Sequence, residues 1–428
     1  MEQTCLKARE ASLKLALWSD DQKNALLKAI SENVSANTAK IAAANQKDLD
    51  EAEKMLAGGE LSGPLVKRLS LQGPKIAQLN SYLESVASLP NPVGVKQFGM
   101  RLDNGMDLER VSCPLGVLAV IFESRPEVVV QVSALSIKSS NAVILKGGKE
   151  AKNSNRALWE IINETLVAFD LEGAVGLMES REDVDSILSQ DKYVDLIIPR
   201  GGNAFVQYIQ NNTKIPVLGH ADGICHVYLD SEADKDMAIK LTLDSKLDYP
   251  SACNAVETLL VHESVAKGIL PDLAAAFKKE GVELRGCEST TKIVAGLKEA
   301  TADDWATEYT DLILSIKIVK TFEEAVTHIN QYGSGHTDSI ITENEETAET
   351  FMGSVDSGCV FHNASTRFSD GFVFGLGAEV GISTNKTHAR GPVGLEGLVI
   401  YKYKLRASGQ IKGDYSSGKK TFLHERLA

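Results

Sequence analysis

Apolar residues change their rhythm several times along the 428-residue chain. Between residues 5 and 89 the spacing is helical. In SDDQKNALLKAISENV, Leu26, Ile30 and Val34 recur every fourth residue, and Ser19 or Asp20 offers the N-cap. The prolines of LPNPVG close that region. FGMRLDNGMDLERVS, residues 98–112, alternates around Asn104-Gly105, which predicts a hairpin. From 115 to 230 short apolar runs (GVLAVIF, NAVILKG, GAVGLM, VDLIIPR, ICHVYLD) alternate with helical segments at 126–138 and 152–168. That alternation predicts a parallel sheet covered by helices on both faces, with ligands bound beyond the carboxyl ends of the strands. A second set follows. AVETLLVH, LILSIKIV, DSIITE and CVFHNA read as strands, and 264–279, 322–331 and 344–354 as helices. GLVIYKYKLRASG alternates as one more strand. GLGAEVG, at 375–381, has one residue too many for a GxGxxG fingerprint and reads as a loop.

Composition narrows the function without naming it. Apolar residues make up 43% and charged residues 24%, an ordinary globular balance. A net charge of −13 argues against a nucleic-acid binder, yet leaves room for a local basic pocket. No apolar run approaches the ~20 residues of a membrane span. MEQTCLKAREASLK lacks the apolar core of a signal peptide. Six cysteines lie far apart with no CxxC pair, so reduced thiols and a cytoplasmic location are expected. Eight histidines show no metal-ligand spacing, so no metal is expected.

Several stretches could carry chemistry. In YPSACNAVETLLVH, Pro250 sets a turn, and Ser251 and Ala252 leave room beside Cys253. Such a thiol is either a nucleophile or a small buried residue. VILKGGK ends a strand in Lys146, Gly147, Gly148 and Lys149. The glycines allow close backbone approach, and the two charges suit a ribose with its 2′-phosphate; solvated lysines on a plain turn fit equally. In IIPRGGNAFVQYI, Gly201 and Gly202 precede a helix whose first amides could meet phosphate, or simply form a turn. HNASTRFSDG gathers Asn363, Ser365, Thr366 and Arg367, and THARGPVG adds Arg390. Arginines here suit a carboxylate or phosphate, and an interdomain ion pair as well.

YPSACNAVETLLVH, VKTFEEAVTHINQYGSGHTDSIIT, FHNASTRFSDGFVFGLGAEVGIST and HARGPVGLEGL, in that order, resemble the aldehyde dehydrogenase superfamily, and within it the γ-glutamyl phosphate reductase (glutamate-5-semialdehyde dehydrogenase) group. The likeness runs over nearly the whole chain. It implies an α/β, aldehyde-dehydrogenase-like fold in three parts: a Rossmann-type cofactor domain (1–97 and 113–228), an α/β catalytic domain (229–394) and an oligomerisation hairpin and strand (98–112 and 395–412). A homodimer or higher homo-oligomer follows from the third part. The implied reaction is NADPH-dependent reduction of L-glutamate 5-phosphate to L-glutamate 5-semialdehyde and phosphate, in proline biosynthesis. Cys253 would be the nucleophile. Ser124 of ESRP stands where the superfamily carries its oxyanion-hole asparagine. Lys149 stands where others carry a ribose-binding glutamate, which favours NADPH/NADP. Glu308 matches the glutamate that orients the nicotinamide ribose. Arg125, Asn363, Ser365, Thr366 and Arg367 are candidates for the substrate's phosphate and α-carboxylate. VLGHADG, 217–223, lacks the superfamily's general-base glutamate. His220 and Glu257 are conceivable substitutes, although Glu257 lies ~13 Å along a strand from Cys253. The kinase module fused to the reductase in bifunctional pyrroline-carboxylate synthases is absent, so a stand-alone reductase or an excised domain is expected; functional coupling to glutamate 5-kinase is a further expectation. The rivals are a reductase of another acyl phosphate and a non-catalytic oligomeric partner of a glutamate kinase.

Overall fold

The computed structural model describes residues 1–61, 63–180, 182–219 and 222–427. Its first segment is helical: Glu2–Leu15, Asp20–Ala36, Thr38–Ala57, Gly63–Leu69 and Pro74–Ser88. Ser19 and Gln22 form a reciprocal capping box at the second helix. Leu26, Ile30 and Val34 of that helix are fully buried.

They pack toward a four-stranded parallel sheet ordered Val175–Met178, Ala142–Lys146, Val117–Phe122, Leu196–Arg200. Its central strand shows why both faces must be covered. Leu118, Val120 and Phe122 enter one core with the second helix and helices Val128–Lys138 and Lys152–Ala168. Val117, Ala119 and Ile121 enter another with Cys5 and Ala8 of the first helix. Side chains alternate across a strand, so a strand apolar at every position needs a helix on each side.

The second sheet has seven strands, each named pair parallel. The order is Lys298–Glu299, Glu283–Gly286, Ile313–Val319, Val256–His262, Cys225–Leu229, Thr337–Ile341, Cys359–His362. Cys225–Leu229 corrects the expected boundary. A cofactor domain ending at 228 would cut this strand, which instead hydrogen-bonds to Val256–His262 and Thr337–Ile341. The last contribution to the first sheet is the bridge of Val217 to Ile197. An apolar run says that a strand forms, not which sheet receives it. The short strands at 283–286 and 298–299 lack an apolar run and escaped the pattern.

The third sheet is antiparallel, ordered Val399–Arg406, Met106–Pro114, Lys96–Asp103, Glu425–Leu427. Asn104-Gly105 forms the hairpin turn, with Gly105 at φ 71°. Beyond the expected third part, the chain's end adds a strand at the far edge. At the other edge Tyr401, Tyr403 and Leu405 of Val399–Arg406 are 45, 58 and 54% exposed. Among the described residues no helix is long and apolar enough to cross a membrane, and no cluster of ligating side chains could hold a metal.

Candidate active site

Cys253 sits on a turn at the amino end of Val256–His262. Ala252 N–H donates to the Tyr249 carbonyl and Ala255 N–H to that of Ala252, both at 3.0 Å. Buried Asn254 ties this turn to a distant loop, donating to the carbonyls of Ser369 (3.0 Å) and Arg367 (3.4 Å). Gly223 packs beneath. A Cβ there would lie 2.1 Å from the Cys253 carbonyl oxygen and 2.7 Å from its Cα. Cys253 is half-buried and free. Its neighbour Cys225 donates a thiol hydrogen bond to the Cys253 carbonyl at 3.3 Å. Burial pushes the Cys225 thiol well up, and nearby Asp338 and Cys253 add to the effect. Cys225 is therefore a protonated prop, not a nucleophile.

The first sheet brings charge to this turn. Arg200 ends strand Leu196–Arg200, 21% exposed, 4.0 Å from Glu379. Burial lowers the Arg200 pKa, and Arg125 lowers it further; Glu379 and Cys253 oppose that shift. Burial raises the Glu379 carboxyl, with Arg200 as the main counterweight. Glu379 also accepts from the Gly371 N–H at 2.9 Å. Arg200 thus lies within electrostatic reach of both Arg125 and Cys253. Glu257 is placed elsewhere. It pairs with Lys246 at 2.6 Å, both side chains at 0% exposure. Burial lifts Glu257 to about 7, with Lys246 pulling the other way and Glu308 adding to the rise. A carboxylate held by its own lysine is not positioned to serve the sulfur. His220 lies outside the described residues. Among the described residues no carboxylate or imidazole hydrogen-bonds the Cys253 thiol.

The strand-end loops hold the other candidates. Ser124 is left-handed, φ 50°, and its N–H and hydroxyl both donate to Glu150, at 2.6 and 2.9 Å. That commitment takes Ser124 away from the oxyanion role expected of it. Lys146 is half-buried, and its ammonium donates to the Gly147 carbonyl at 2.5 Å. Burial lowers Lys146, and Glu150, Asp183 and Glu123 offset this. A Cβ on Gly147 would strike Asn155 at 1.9 Å, and one on Gly148 would strike Glu150 at 2.0 Å. Lys149 is 77% exposed and 3.6 Å from Glu60. Gly202 caps helix Asn203–Asn211, and a Cβ built on it would meet nothing within 4 Å.

The loop at 362–369 divides into braces and one cation. Asn363, at φ 52°, spends its amide on the Thr342 backbone, accepting at 3.0 Å and donating at 2.9 Å. Ser365 accepts from the Arg367 N–H and the Ser245 hydroxyl, at 3.3 and 3.2 Å. Thr366 is fully buried. Asn363 and Ser365 brace the loop, while the buried Thr366 hydroxyl has no hydrogen-bond partner among the described residues. Arg367 pairs with Asp248 at 3.0 Å and stands 6.0 Å from the Tyr249 ring. Arg390 pairs with Asp356 at 2.9 Å, the ion-pair alternative.

The likeness to known proteins covers most of the chain. The aldehyde dehydrogenase family profile matches residues 1–305 and 305–378. The γ-glutamyl phosphate reductase of Ruminiclostridium cellulolyticum is 52% identical over 428 residues, covering 100% of this chain and 98% of that protein. That of Natronomonas pharaonis is 52% identical, over 98% of this chain and 96% of that one. The chain belongs to the aldehyde dehydrogenase family, in its γ-glutamyl phosphate reductase branch. The crystal structure of γ-glutamyl phosphate reductase from Thermotoga maritima superposes with a TM-score of 0.92 at 39% identity, over 96% of this chain and 99% of that one.

Within this family framework, four site residues were missed in the sequence. Arg200 was passed over for the glycines beside it, and Glu379 lay in a stretch read only as loop. Glu150 follows Lys149 and closes onto Ser124. Arg68 lies in a helix that showed no chemical signal at all. Its guanidinium donates to the Tyr249 hydroxyl at 2.9 Å and to the Ser251 hydroxyl at 3.3 Å. Only the tertiary approach of residues 68 and 249 could disclose it.

Proposed function

We propose that this chain reduces L-glutamate 5-phosphate to L-glutamate 5-semialdehyde and phosphate with NADPH, through a thioester on Cys253, as a step toward proline. The observation that carries the proposal is the Cys253 turn, braced by Gly223, Asn254 and Cys225, with Arg200 of the first sheet in electrostatic reach. The Cys253 thiolate attacks the acyl-phosphate carbon, and the carbon–oxygen bond to phosphate breaks. Arg200 and Arg125 are the cations proposed to receive the departing phosphate. The Cys253 N–H makes no hydrogen bond to another described residue, so it is free to hold the oxyanion. Once the thioester carbon has received a hydride, breakage of the carbon–sulfur bond frees the aldehyde and restores the thiolate.

The open cradle at Gly202 and the lysines ending Ala142–Lys146 fit a dinucleotide. Lys146 and Lys149 would hold its adenosine ribose phosphate, Gly201 and Gly202 its diphosphate, and Glu308 its nicotinamide ribose. When bound, NADPH supplies the hydride that reduces the thioester. Lys149→Glu raises the KM for NADPH about tenfold more than that for NADH, equivalent to ~1.4 kcal/mol. Equal changes for both cofactors would separate Lys149 from the 2′-phosphate. The exposed outer edge of Val399–Arg406 supports a homo-oligomer; a monomer in sedimentation equilibrium at micromolar concentration would remove that support.

The testing experiment runs the reaction backwards. With the Glu257 carboxylate locked to Lys246, no group is assigned to activate water against the thioester. Oxidation of glutamate 5-semialdehyde by NADP therefore depends on phosphate or arsenate as acyl acceptor. Sustained turnover to free glutamate in phosphate-free buffer would defeat the proposal.

A further inference from the structure

Beside the Cys253 turn lies a cavity of about 520 Å³, lined by Lys67, Arg68, Lys75, Tyr249, Pro250, Ser251, Thr310, Asp311 and Leu312. Its size suits a small metabolite. Its walls come from parts of the chain far apart in sequence: the helices at 63–69 and 74–88, the turn before Cys253, and the loop at 310–312. Three cations line it, Lys67, Arg68 and Lys75, against one carboxylate, Asp311. Tyr249 is the hinge of the charge. Arg68 stands 5.6 Å from its ring and Arg367 stands 6.0 Å from it. Burial would raise the Tyr249 phenol, but hydrogen bonds with Ser251 and Arg68, and the charges of Arg68 and Arg125, lower it.

We propose that this cavity binds the α-amino-acid end of the substrate, with Arg68 pairing the α-carboxylate and Asp311 the α-ammonium. The inference rests on the reductase function above and divides the substrate between two cation groups. Arg200 and Arg125, grouped electrostatically near Cys253, take the phosphate; Arg68 takes the far end. Reach supports the division. Ser251 and Cys253 are two residues apart, at most about 7 Å, and the four carbon–carbon bonds of a glutamyl chain span about 5 Å. Arg68 keeps guanidinium hydrogens beyond the two it gives to Tyr249 and Ser251, and a planar fork suits a carboxylate. Asp311 is exposed in the cavity, and one of its oxygens accepts from the Leu312 N–H at 2.8 Å. The other oxygen faces the task of balancing an ammonium group.

The test compares kcat/KM for two aldehydes, glutamate 5-semialdehyde and butanal, each with NADP and phosphate. Butanal has the reacting end and no amino-acid end. Wild-type enzyme strongly prefers the semialdehyde; absence of that preference would defeat the reductase function itself, not only this site. Arg68→Met lowers the preference about tenfold, mostly through KM, as expected for losing a guanidinium–carboxylate pair in a half-exposed cavity. Arg68→Lys recovers part of it. Asp311→Asn lowers the preference for the semialdehyde but not for glutarate semialdehyde, which lacks the α-amino group. Arg68 also braces the turn, so Tyr249→Phe with Ser251→Ala removes the same two hydrogen bonds while sparing the guanidinium. That double variant, whose residues also line the cavity, keeps more of the preference than Arg68→Met does. If it loses as much as Arg68→Met does, or if Arg68→Met keeps the wild-type preference, the site assignment is wrong.

Discussion

Cys253→Ala binds NADPH with wild-type affinity and reduces no acyl phosphate. Loss of the nucleophile removes the only covalent route to the aldehyde, so the expected fall in kcat is at least about 10⁴-fold. The fold has no reason to suffer, because the Cys253 contacts in the structure are made by its backbone: its carbonyl accepts from Cys225 and packs on Gly223. Cofactor binding read by fluorescence titration separates a dead site from a misfolded one. Cys225→Ala is the companion variant. Cys225 lies 3.3 Å behind the same carbonyl, buried and held protonated. It keeps substantial turnover if Cys253 is the nucleophile. Reversed outcomes for the two variants would transfer the chemistry to Cys225.

Gly223→Ala costs about 100-fold in kcat while leaving the protein folded. The added Cβ would fall 2.1 Å from the Cys253 carbonyl oxygen and 2.7 Å from its carbonyl carbon and Cα. These are backbone atoms, which cannot rotate aside as a flexible side chain would. The Cys253 turn must therefore shift by something near 1 Å, and displacement of that size at a reacting group costs on the order of 10²-fold. Gly268→Ala is the control. It lies inside helix Glu263–Lys279 with nothing within 4 Å of its added Cβ, so it should be neutral or slightly stabilising. A Gly223→Ala enzyme with wild-type kcat would show that this packing does not position the sulfur.

The site was legible to different depths. Cys253 stood out because a proline turn and small neighbours precede an apolar strand, and in the structure it is half-buried on that turn. The lysines and glycines after Ala142–Lys146 were visible as charges at a strand end. Asn363, Ser365 and Thr366 looked the same on paper as ligand-binding residues do. In the fold their polar groups are turned to Thr342 and Ser245 or buried. A hydroxyl or amide in a loop serves backbone and ligand with equal chemistry, and only its neighbours decide which.

Local rules carried much of the fold. Apolar spacing determined the N-terminal helices, the strand–helix alternation and the Asn104-Gly105 hairpin, because helix and strand periodicity act between residues close in sequence. Resemblance of whole segments determined the family. Three matters were left to the tertiary structure. Cys225–Leu229 joined the second sheet, because hydrogen-bond partners for an apolar strand are chosen among distant strands. Ser124 was claimed by Glu150, and Glu257 by Lys246 across eleven residues, because a buried polar group takes whatever partner the packing brings. Arg68 met Tyr249 across 181 residues. A helix without a chemical motif became a neighbour of the turn before Cys253 because the chain's return placed it there.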